Sequence, residues 1–190
     1  MSDTTPRQRA MLRTCAADMT AYNGFRWPES GPVTAPDWNP APICGGGLHG
    51  LLDGCGDASL LCWDADARWL VVEVDEWVAI DDAKVKAPAG RVVFCGAKSD
   101  AVALGVERYG WDVARCVGAS VQVACAAHGT GGYGSTITGG YGSTITGGDR
   151  STITGGYGST ITGGDGSTIT GGDGSTITGG YGSTITGGDR

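Results

Sequence analysis

Tyr133-Gly-Ser-Thr-Ile-Thr-Gly-Gly140 is the first copy of an octapeptide that occurs seven times in succession through Gly188, with Asp189 and Arg190 after it. Later copies exchange Tyr for Asp, or the following Gly for Arg. A short, fixed period is typical of a solenoid. Each copy places a β-favouring Ser-Thr-Ile-Thr run between turn-forming residues, so the repeat predicts a stack of short strands.

The alternation of side chains along a strand assigns the two sides of each run. Thr136 and Thr138 point one way, whereas Ser135 and Ile137 point the other. Ile is the only large aliphatic residue of the unit, so we expect Ile and Ser inside and Thr outside. Eight residues per coil leave almost no interior, whereas two copies give a flat coil with Ile rows meeting from opposite sides. Residues 131–190 therefore predict an all-β solenoid of about 16 residues per coil and roughly three and a half coils.

The outward Thr rows are the candidate functional residues. Stacked coils turn each face into a flat grid of hydroxyl and methyl groups, and Thr is stiff at χ1, so the grid is preorganised to order water. The predicted partner is ice or ordered water. The predicted ice- or water-binding residues are Thr136, Thr138, Thr144, Thr146, Thr152, Thr154, Thr160, Thr162, Thr168, Thr170, Thr176, Thr178, Thr184 and Thr186.

The repeat also carries a family resemblance. The run Gly-Gly-Tyr-Gly-Ser-Thr-Ile-Thr at residues 131–138 resembles the octapeptide of bacterial ice nucleation proteins, in which Ala-Gly-Tyr-Gly-Ser-Thr recurs, followed by Leu or Gln and then Thr. It covers about 58 of the 190 residues. The resemblance implies a β-solenoid with water-organising Thr-x-Thr rows, a non-enzymatic ice-binding or ice-nucleating function, a Tyr ladder linked to self-association, and association with the cell surface.

The repeat departs from this family in its length and its corners. Ice nucleation depends on the area of the template, so a single copy with few coils should nucleate poorly. We interpret the repeat as truncated or uncapped at its C-terminus, with an open strand edge that favours self-association through solenoid ends or edges. On a 16-residue period one corner reads Tyr, Asp, Asp, Tyr and the other Tyr, Tyr, Asp, Asp, so no continuous Tyr ladder is expected. The candidate assembly residues are Tyr133, Tyr141, Tyr157, Tyr181, Arg150 and Arg190.

Two other interpretations of the repeat remain open. The Thr grid is also what a solvent-facing spacer or self-assembly module would show. Gly-Gly-Asp-Gly at 163–166 and 171–174 is superficially like a calcium-binding nonapeptide. Its period is eight rather than nine, however, and a second acidic ligand is missing, so no metal site is assigned.

Residues 1–130 predict an α+β globular domain that serves as an N-terminal cap of the solenoid. We expect an irregular, aromatic-rich layer over residues 14–54. Strands are predicted at 59–63, 69–74, 76–80, 91–95 and 120–126, and a helix from Ser99 or Asp100, as its cap, to Tyr109.

Composition narrows the classes of function. The net charge of −7 divides into about −5 before Tyr133 and −2 after it, so no nucleic-acid partner is expected. No apolar run is long enough for a signal peptide or a membrane span, which makes the cytoplasm the default location. All seven Cys precede the repeat without a Cys-x-x-Cys pair, which indicates reduced thiols. A zinc site is conceivable only from distant Cys with His49 or His128, and no metal or cofactor is assigned.

The segment Cys44-Gly-Gly-Gly-Leu-His-Gly50 is the best candidate for chemistry outside the repeat. Its glycines expose backbone amides next to His49. Together with the upstream Tyr22-x-Gly-Phe-x-Trp-Pro28, it resembles an uncharacterised bacterial and phage N-terminal domain found with tails of short Gly/Thr repeats. Its Gly-Leu-His turn, followed by a stretch of small residues, also resembles ADP-ribosyltransferase-like folds. The alternative hypothesis is therefore a ligand-binding or enzymatic domain acting on a nucleotide-like ligand near His49; no catalytic residue is assigned.

Overall fold

The computed structural model describes residues 8–82 and 84–189, which form parts of two compact units. The first, here the N-terminal unit, is Met1–Trp111, and the second, the solenoid unit, is Asp112–Arg190. Arg190, one of the candidate assembly residues, lies outside the described residues.

The N-terminal unit is built on one antiparallel sheet with a single α-helix among its described residues, as the α+β prediction required. The sheet order is β2-β7-β4-β1-β3-β6-β5. Two short 3₁₀ helices, Tyr22–Gly24 and Ala58–Leu60, interrupt the connections. The elements are β1 (Arg9–Cys15), β2 (Gly31–Thr34), β3 (Leu48–Leu52), β4 (Arg68–Val74), β5 (Val78–Ala79), β6 (Val85–Ala87), β7 (Ala89–Gly96) and α1 (Lys98–Tyr109).

Strand β1 occupies the middle of this sheet. It pairs with β4 over its whole length and with β3 on its other side. Ala10, Met11 and Leu12 are fully buried, because a central strand of a covered sheet has no solvent-facing side. Because Arg9 and Arg13 lie on either side of these residues, the sequence does not have the appearance of a buried strand. The expected irregular layer over residues 14–54 likewise contains β2 and β3.

Two local predictions were wrong. Residues 59–63 do not form a strand, because Asp57 Oδ1 accepts a hydrogen bond from the Ser59 amide at 2.9 Å and starts a 3₁₀ turn. Neither Ser99 nor Asp100 caps the helix, since α1 begins at Lys98 and Ala97 occupies the capping position without a side-chain bond. The strands predicted at 69–74 and 91–95 are confirmed as β4 and the central part of β7.

The solenoid unit contains two parallel sheets, one of five strands in the order β16-β14-β12-β10-β8 and one of four in the order β15-β13-β11-β9. Successive strands of a sheet pair in register 16 residues apart, which confirms two octapeptides per coil. The strands are β8 (Ser120–Val123), β9 (His128–Gly131), β10 (Thr136–Gly139), β11 (Thr144–Gly147), β12 (Thr152–Gly155), β13 (Thr160–Gly163), β14 (Thr168–Gly171), β15 (Thr176–Gly179) and β16 (Thr184–Thr186).

The solenoid begins before the first octapeptide. Strand β8 pairs in parallel with β10, with Val121 beside Ile137, and β9 pairs with β11. The segment Ser120-Val-Gln-Val123 thus has the same alternation of polar and apolar residues as Thr-Ile-Thr, although the residues themselves differ. The sequence predicts that 120–126 belongs to the globular domain, with a boundary at 130/131; in the structure the two compact units divide between Trp111 and Asp112.

Among the described residues, no helix is long and apolar enough to cross a membrane. The cytoplasmic location stays a prediction.

Candidate functional site

The interior of the solenoid confirms the predicted isoleucine row through the middle coils. Ile137, Ile145, Ile153, Ile161 and Ile169 are each at most 1% exposed. Since the two sheets face one another, each Ile packs against those of the opposite sheet and of neighbouring coils. The space between the two sheets is therefore filled by these apolar side chains.

The buried serines form a second inward row whose hydroxyls find partners. Ser135 Oγ lies 3.2 Å from Ser151 Oγ, and Ser143 Oγ lies 3.3 Å from Ser159 Oγ. Ser151 Oγ also donates to the Gly148 carbonyl at 2.7 Å. Buried hydroxyls with partners avoid the desolvation cost of orphaned ones. Ser is therefore a suitable residue for the buried position two residues before each Ile.

The two glycines that end each copy are required for different reasons. A Cβ on Gly155 would lie 2.5 Å from Ile161 Cδ1, so the first glycine leaves room for the next Ile. A Cβ on Gly156 would lie 2.7 Å from the Gly140 carbonyl carbon, so the second lets consecutive coils approach at backbone distance. Together they explain why every copy keeps Gly-Gly.

The outward threonines form two separate faces. The five-strand face carries the Thr pairs of β10, β12, β14 and β16, and the four-strand face carries those of β11, β13 and β15. All of them are exposed except Thr144, which is half-buried. Parallel pairing sets Thr136 beside Thr152 and Thr138 beside Thr154, and the pattern continues along both faces. The spacing is about 4.8 Å between strands and about 6.7 Å along each strand.

Two adjacent corner tyrosines stack. The rings of Tyr141 and Tyr157 have centroids 5.5 Å apart and planes inclined by 7°. Tyr141 is 63% exposed and Tyr157 58%. At the opposite corner the Arg150 guanidinium lies 5.9 Å from the centre of the Tyr133 ring. The role of Arg150 in assembly stays a prediction. Tyr181 is the most exposed of the four, at 90%.

A carboxylate ladder at the corners was missed by sequence reasoning. Asp149 Oδ1 accepts a hydrogen bond from the Asp165 amide at 2.9 Å, and Asp165 Oδ1 accepts one from the Tyr181 amide at 2.7 Å. Asp173 makes the same bond to the Asp189 amide at 3.1 Å. Each of these three Asp side chains therefore binds the backbone of the next coil. In the sequence, the only sign of this contact is the 16-residue spacing. No group of three potential metal ligands occurs in the described part of the chain, which leaves the calcium interpretation without support.

His49 lies on β3 in the N-terminal unit and lines a cavity of about 610 Å³. Burial, followed by the nearby charges of Lys84 and Arg13, lowers the pKa of His49, so its imidazole is neutral at pH 7. The thiol of Cys15 is also perturbed, since burial raises its pKa to about 11. The residues found to line this cavity belong to the N-terminal unit, whereas the Thr rows belong to the solenoid unit.

These features define a class of protein: a short β-solenoid with exposed Thr-x-Thr rows, preceded by a sheet-rich domain. Residues 10–104, half of the chain, match the family described as "Domain of unknown function (DUF7666)", and the chain belongs to this family.

The names of the curated relatives are those of the family that the repeat resembles. The chain is 42% identical over 94 residues to "Ice nucleation protein" from Xanthomonas campestris pv. translucens, covering 48% of this chain and 6% of that protein. It is 42% identical over 95 residues to "Ice nucleation protein InaU" from Pantoea ananas, covering 48% and 9%. The match to the Pseudomonas syringae protein of 39% over 89 residues covers 45% and 8%. The chain therefore spans less than a tenth of the length of these relatives, and no solved structure matches it.

Proposed function

We propose that this chain is an ice-binding or ice-nucleating protein whose Thr-x-Thr rows order water on the flat faces of the solenoid. The observation that carries the proposal is the unbroken, in-register array of exposed Thr pairs on four neighbouring strands of the five-strand face. Each Thr offers a hydroxyl to anchor a water and a methyl group to restrict its neighbours. The names of the relatives support the same function.

The size of the face favours binding over nucleation by a single copy. Four strands span about 14 Å across and two Thr about 6.7 Å along each strand. A template this small holds few water molecules in register. We therefore expect single chains to act on ice that already exists, and freezing activity to grow with the number of coils presented together.

Droplet freezing and ice-crystal shape test the proposal, with the two faces changed separately. Val keeps the branched shape and strand preference of Thr but removes the hydroxyl. One variant changes all eight Thr of the five-strand face to Val, and the matched control changes the six Thr of β11, β13 and β15 on the four-strand face. The first set is Thr136, Thr138, Thr152, Thr154, Thr168, Thr170, Thr184 and Thr186; the second is Thr144, Thr146, Thr160, Thr162, Thr176 and Thr178.

We expect the five-strand variant to lose activity more completely than the four-strand variant, while the β-type circular dichroism of both is unchanged. Unaltered activity in a variant with both faces changed would remove the water-template proposal. A chain that affects neither freezing nor crystal shape would leave the repeat as a scaffold.

A second candidate function is self-assembly, which the exposed Tyr141–Tyr157 stack favours. Aromatic rings exposed side by side present an apolar surface that a second copy can cover. Sedimentation velocity would compare the intact chain with a variant in which both tyrosines are Ser. Weaker association in the variant is expected. Equal association of the two proteins would exclude this corner as the contact.

A further inference from the structure

The cavity in the N-terminal unit has the size and wall chemistry of a small-molecule site. Its volume of about 610 Å³ falls within the range of about 300–1,000 Å³ that ligand sites occupy. The 3₁₀ turn Tyr22–Gly24, strand β3 and the glycine-rich loop 44–47 contribute to its walls. All its lining residues belong to one compact unit.

Arg13 supplies a half-buried positive charge to this cavity. Its Nη1 donates to the His49 carbonyl at 2.9 Å, and its guanidinium lies 5.4 Å from the centre of the Trp27 ring. Its Nε is buried and has no hydrogen-bond partner among the described residues. Neither of the two ion pairs found in the described part of the chain involves Arg13. A half-buried guanidinium without a carboxylate is a site where an anion is favoured.

Lys84 adds a second positive charge, and the one carboxylate among the lining residues is already engaged. Lys84 Nζ lies 3.4 Å from Cys44 Sγ, where loop 44–47 meets the cavity. Asp37 accepts a hydrogen bond from the Gly47 amide at 3.2 Å. The cavity wall is thus positive in a chain whose net charge is −7.

The fully buried Lys86 holds the glycine-rich loop in place by binding its carbonyl groups. Lys86 Nζ donates to the carbonyls of Ile43 and Gly45, at 2.9 Å each. In a trans peptide the N–H points opposite to the carbonyl, so the amides of Cys44 and Gly46 point away from Lys86. Lys86 does not line the cavity, whereas Cys44 and Gly46 do. The loop therefore offers backbone donors in addition to the two cationic side chains.

The remaining walls suit a planar ring. Phe25 and Trp27 meet edge to face, with centroids 5.7 Å apart, and Tyr22 is 85% exposed on the neighbouring turn. His49 Nε2 is buried without a partner among the described residues, so a neutral imidazole is left with one unused hydrogen bond.

We propose that this cavity binds a planar ring compound that carries a phosphate or carboxylate group, with the dimensions of a mononucleotide. The acidic group lies against Arg13, Lys84 and the loop amides, the ring packs on Tyr22 and Phe25, and a polar group of the ring pairs with His49. The site is independent of the proposed action on ice, because the Thr rows contribute nothing to it.

Protection of a cysteine in the cavity wall tests the proposal on the full chain. Cys44 and Cys125 are both exposed, but only Cys44 lines the cavity, so Cys125 is an internal control. Iodoacetamide labelling of each is followed by peptide mass spectrometry with added ribonucleoside monophosphates, benzoate or inorganic phosphate. At a ligand concentration about ten times its Kd, labelling of Cys44 should slow about tenfold and labelling of Cys125 should be unchanged.

Two arginines on the same strand give a matched pair of variants. R13Q should abolish the protection, whereas R9Q, which removes the same charge from a residue paired with Asp53 and absent from the cavity lining, should retain it. K84Q should weaken the protection and serves as the test if R13Q does not fold. Absence of protection by every ring anion would overturn the proposal. Equal protection by inorganic phosphate would show that the site does not require a ring. Full protection in R13Q would show that Arg13 does not bind the acidic group.

Discussion

At the scale of single residues, glycines at different positions of one octapeptide have different structural roles. Gly158 has a φ of +67° and open space where a Cβ would lie, so only its backbone conformation requires glycine. Gly155 lacks the unusual φ, but a Cβ there would meet Ile161. Arg150 occupies the same place in its copy as Gly158 does and has a φ of +54°, so this position admits a side chain. The sequence shows identical letters at these positions, and only the packing separates them.

Replacing each of these glycines by Ala should therefore have unequal effects. Gly158→Ala should cost about 1–2 kcal/mol, the usual price of a left-handed conformation for a residue with a Cβ. Gly155→Ala should cost about 1–3 kcal/mol, because overpacking displaces the Ile161 side chain. Hydrogen exchange of the solenoid amides measures both. Unchanged protection of β13 in either variant would contradict the role assigned to the glycine that was replaced.

The burial of His49 predicts a pH response of the N-terminal unit. The pKa of His49 is lowered in the folded state, so the unfolded chain takes up the proton first as the pH falls through about 6.5. Stability should fall from pH 7.5 toward pH 5.5 and then level off once the folded state is also protonated. Thermal unfolding followed by Trp fluorescence measures it. H49Q should flatten this dependence; an unchanged slope in H49Q would assign it to other groups.

At the scale of elements, the corner between two strands matters as much as the strands. The carboxylate ladder joins each Asp to the backbone one coil further on, which supplements the main-chain bonds of the parallel sheets. A regular β-run could be predicted from Ser-Thr-Ile-Thr, because its alternation is local. The ladder could not, since its partners are 16 residues apart and one of them is a backbone amide.

Removal of one ladder carboxylate should loosen the next corner only. Asp165→Ala leaves the Tyr181 amide without its acceptor and should cost about 0.5–1.5 kcal/mol, the net value of a typical hydrogen bond. Asp165→Asn keeps a carbonyl oxygen at that place and should be nearly neutral. Amide exchange at Tyr181 is the direct measurement. Faster exchange in both variants alike would indicate that the charge, rather than the acceptor, holds the corner.

The strands of the N-terminal unit were less predictable than those of the solenoid. Strand β1 alternates poorly because three successive residues, Ala10, Met11 and Leu12, are all buried, so its sequence lacks the two-residue period of a half-exposed strand. The buried Lys86 is similarly invisible in the sequence, since its carbonyl partners lie about 40 residues away. Both depend on contacts that form only in the folded sheet.

At the scale of the whole molecule, the proposed activity should depend on the number of coils. Two octapeptides inserted after Gly156 add one strand to each face and keep the register of everything beyond them. We expect the freezing temperature to rise with one, two and three such insertions, because the template area grows. The matched control carries the same insertions with Val in place of each inserted Thr. A freezing temperature independent of length would oppose the template proposal.

The two units carry separate spectroscopic reporters. All six Trp lie in the N-terminal unit, whereas Tyr133, Tyr141, Tyr157 and Tyr181 lie in the solenoid unit. Trp emission therefore follows the unfolding of the N-terminal unit without a contribution from the repeat. The pH experiment and the insertion series can be made on the same intact protein.

The mismatch between an eight-residue repeat and a 16-residue coil also constrains how the gene can change. Gain or loss of a single octapeptide, a common outcome of replication slippage in repeated DNA, moves every later strand to the opposite sheet. When it falls between Tyr141 and Tyr157 it separates these stacked rings, whereas the Asp ladder re-forms, because any residue 16 positions further on supplies a backbone amide. A change by two copies keeps every later strand in its original sheet. Inheritable length variants of this tail should therefore differ by even numbers of octapeptides wherever the corner contacts are under selection.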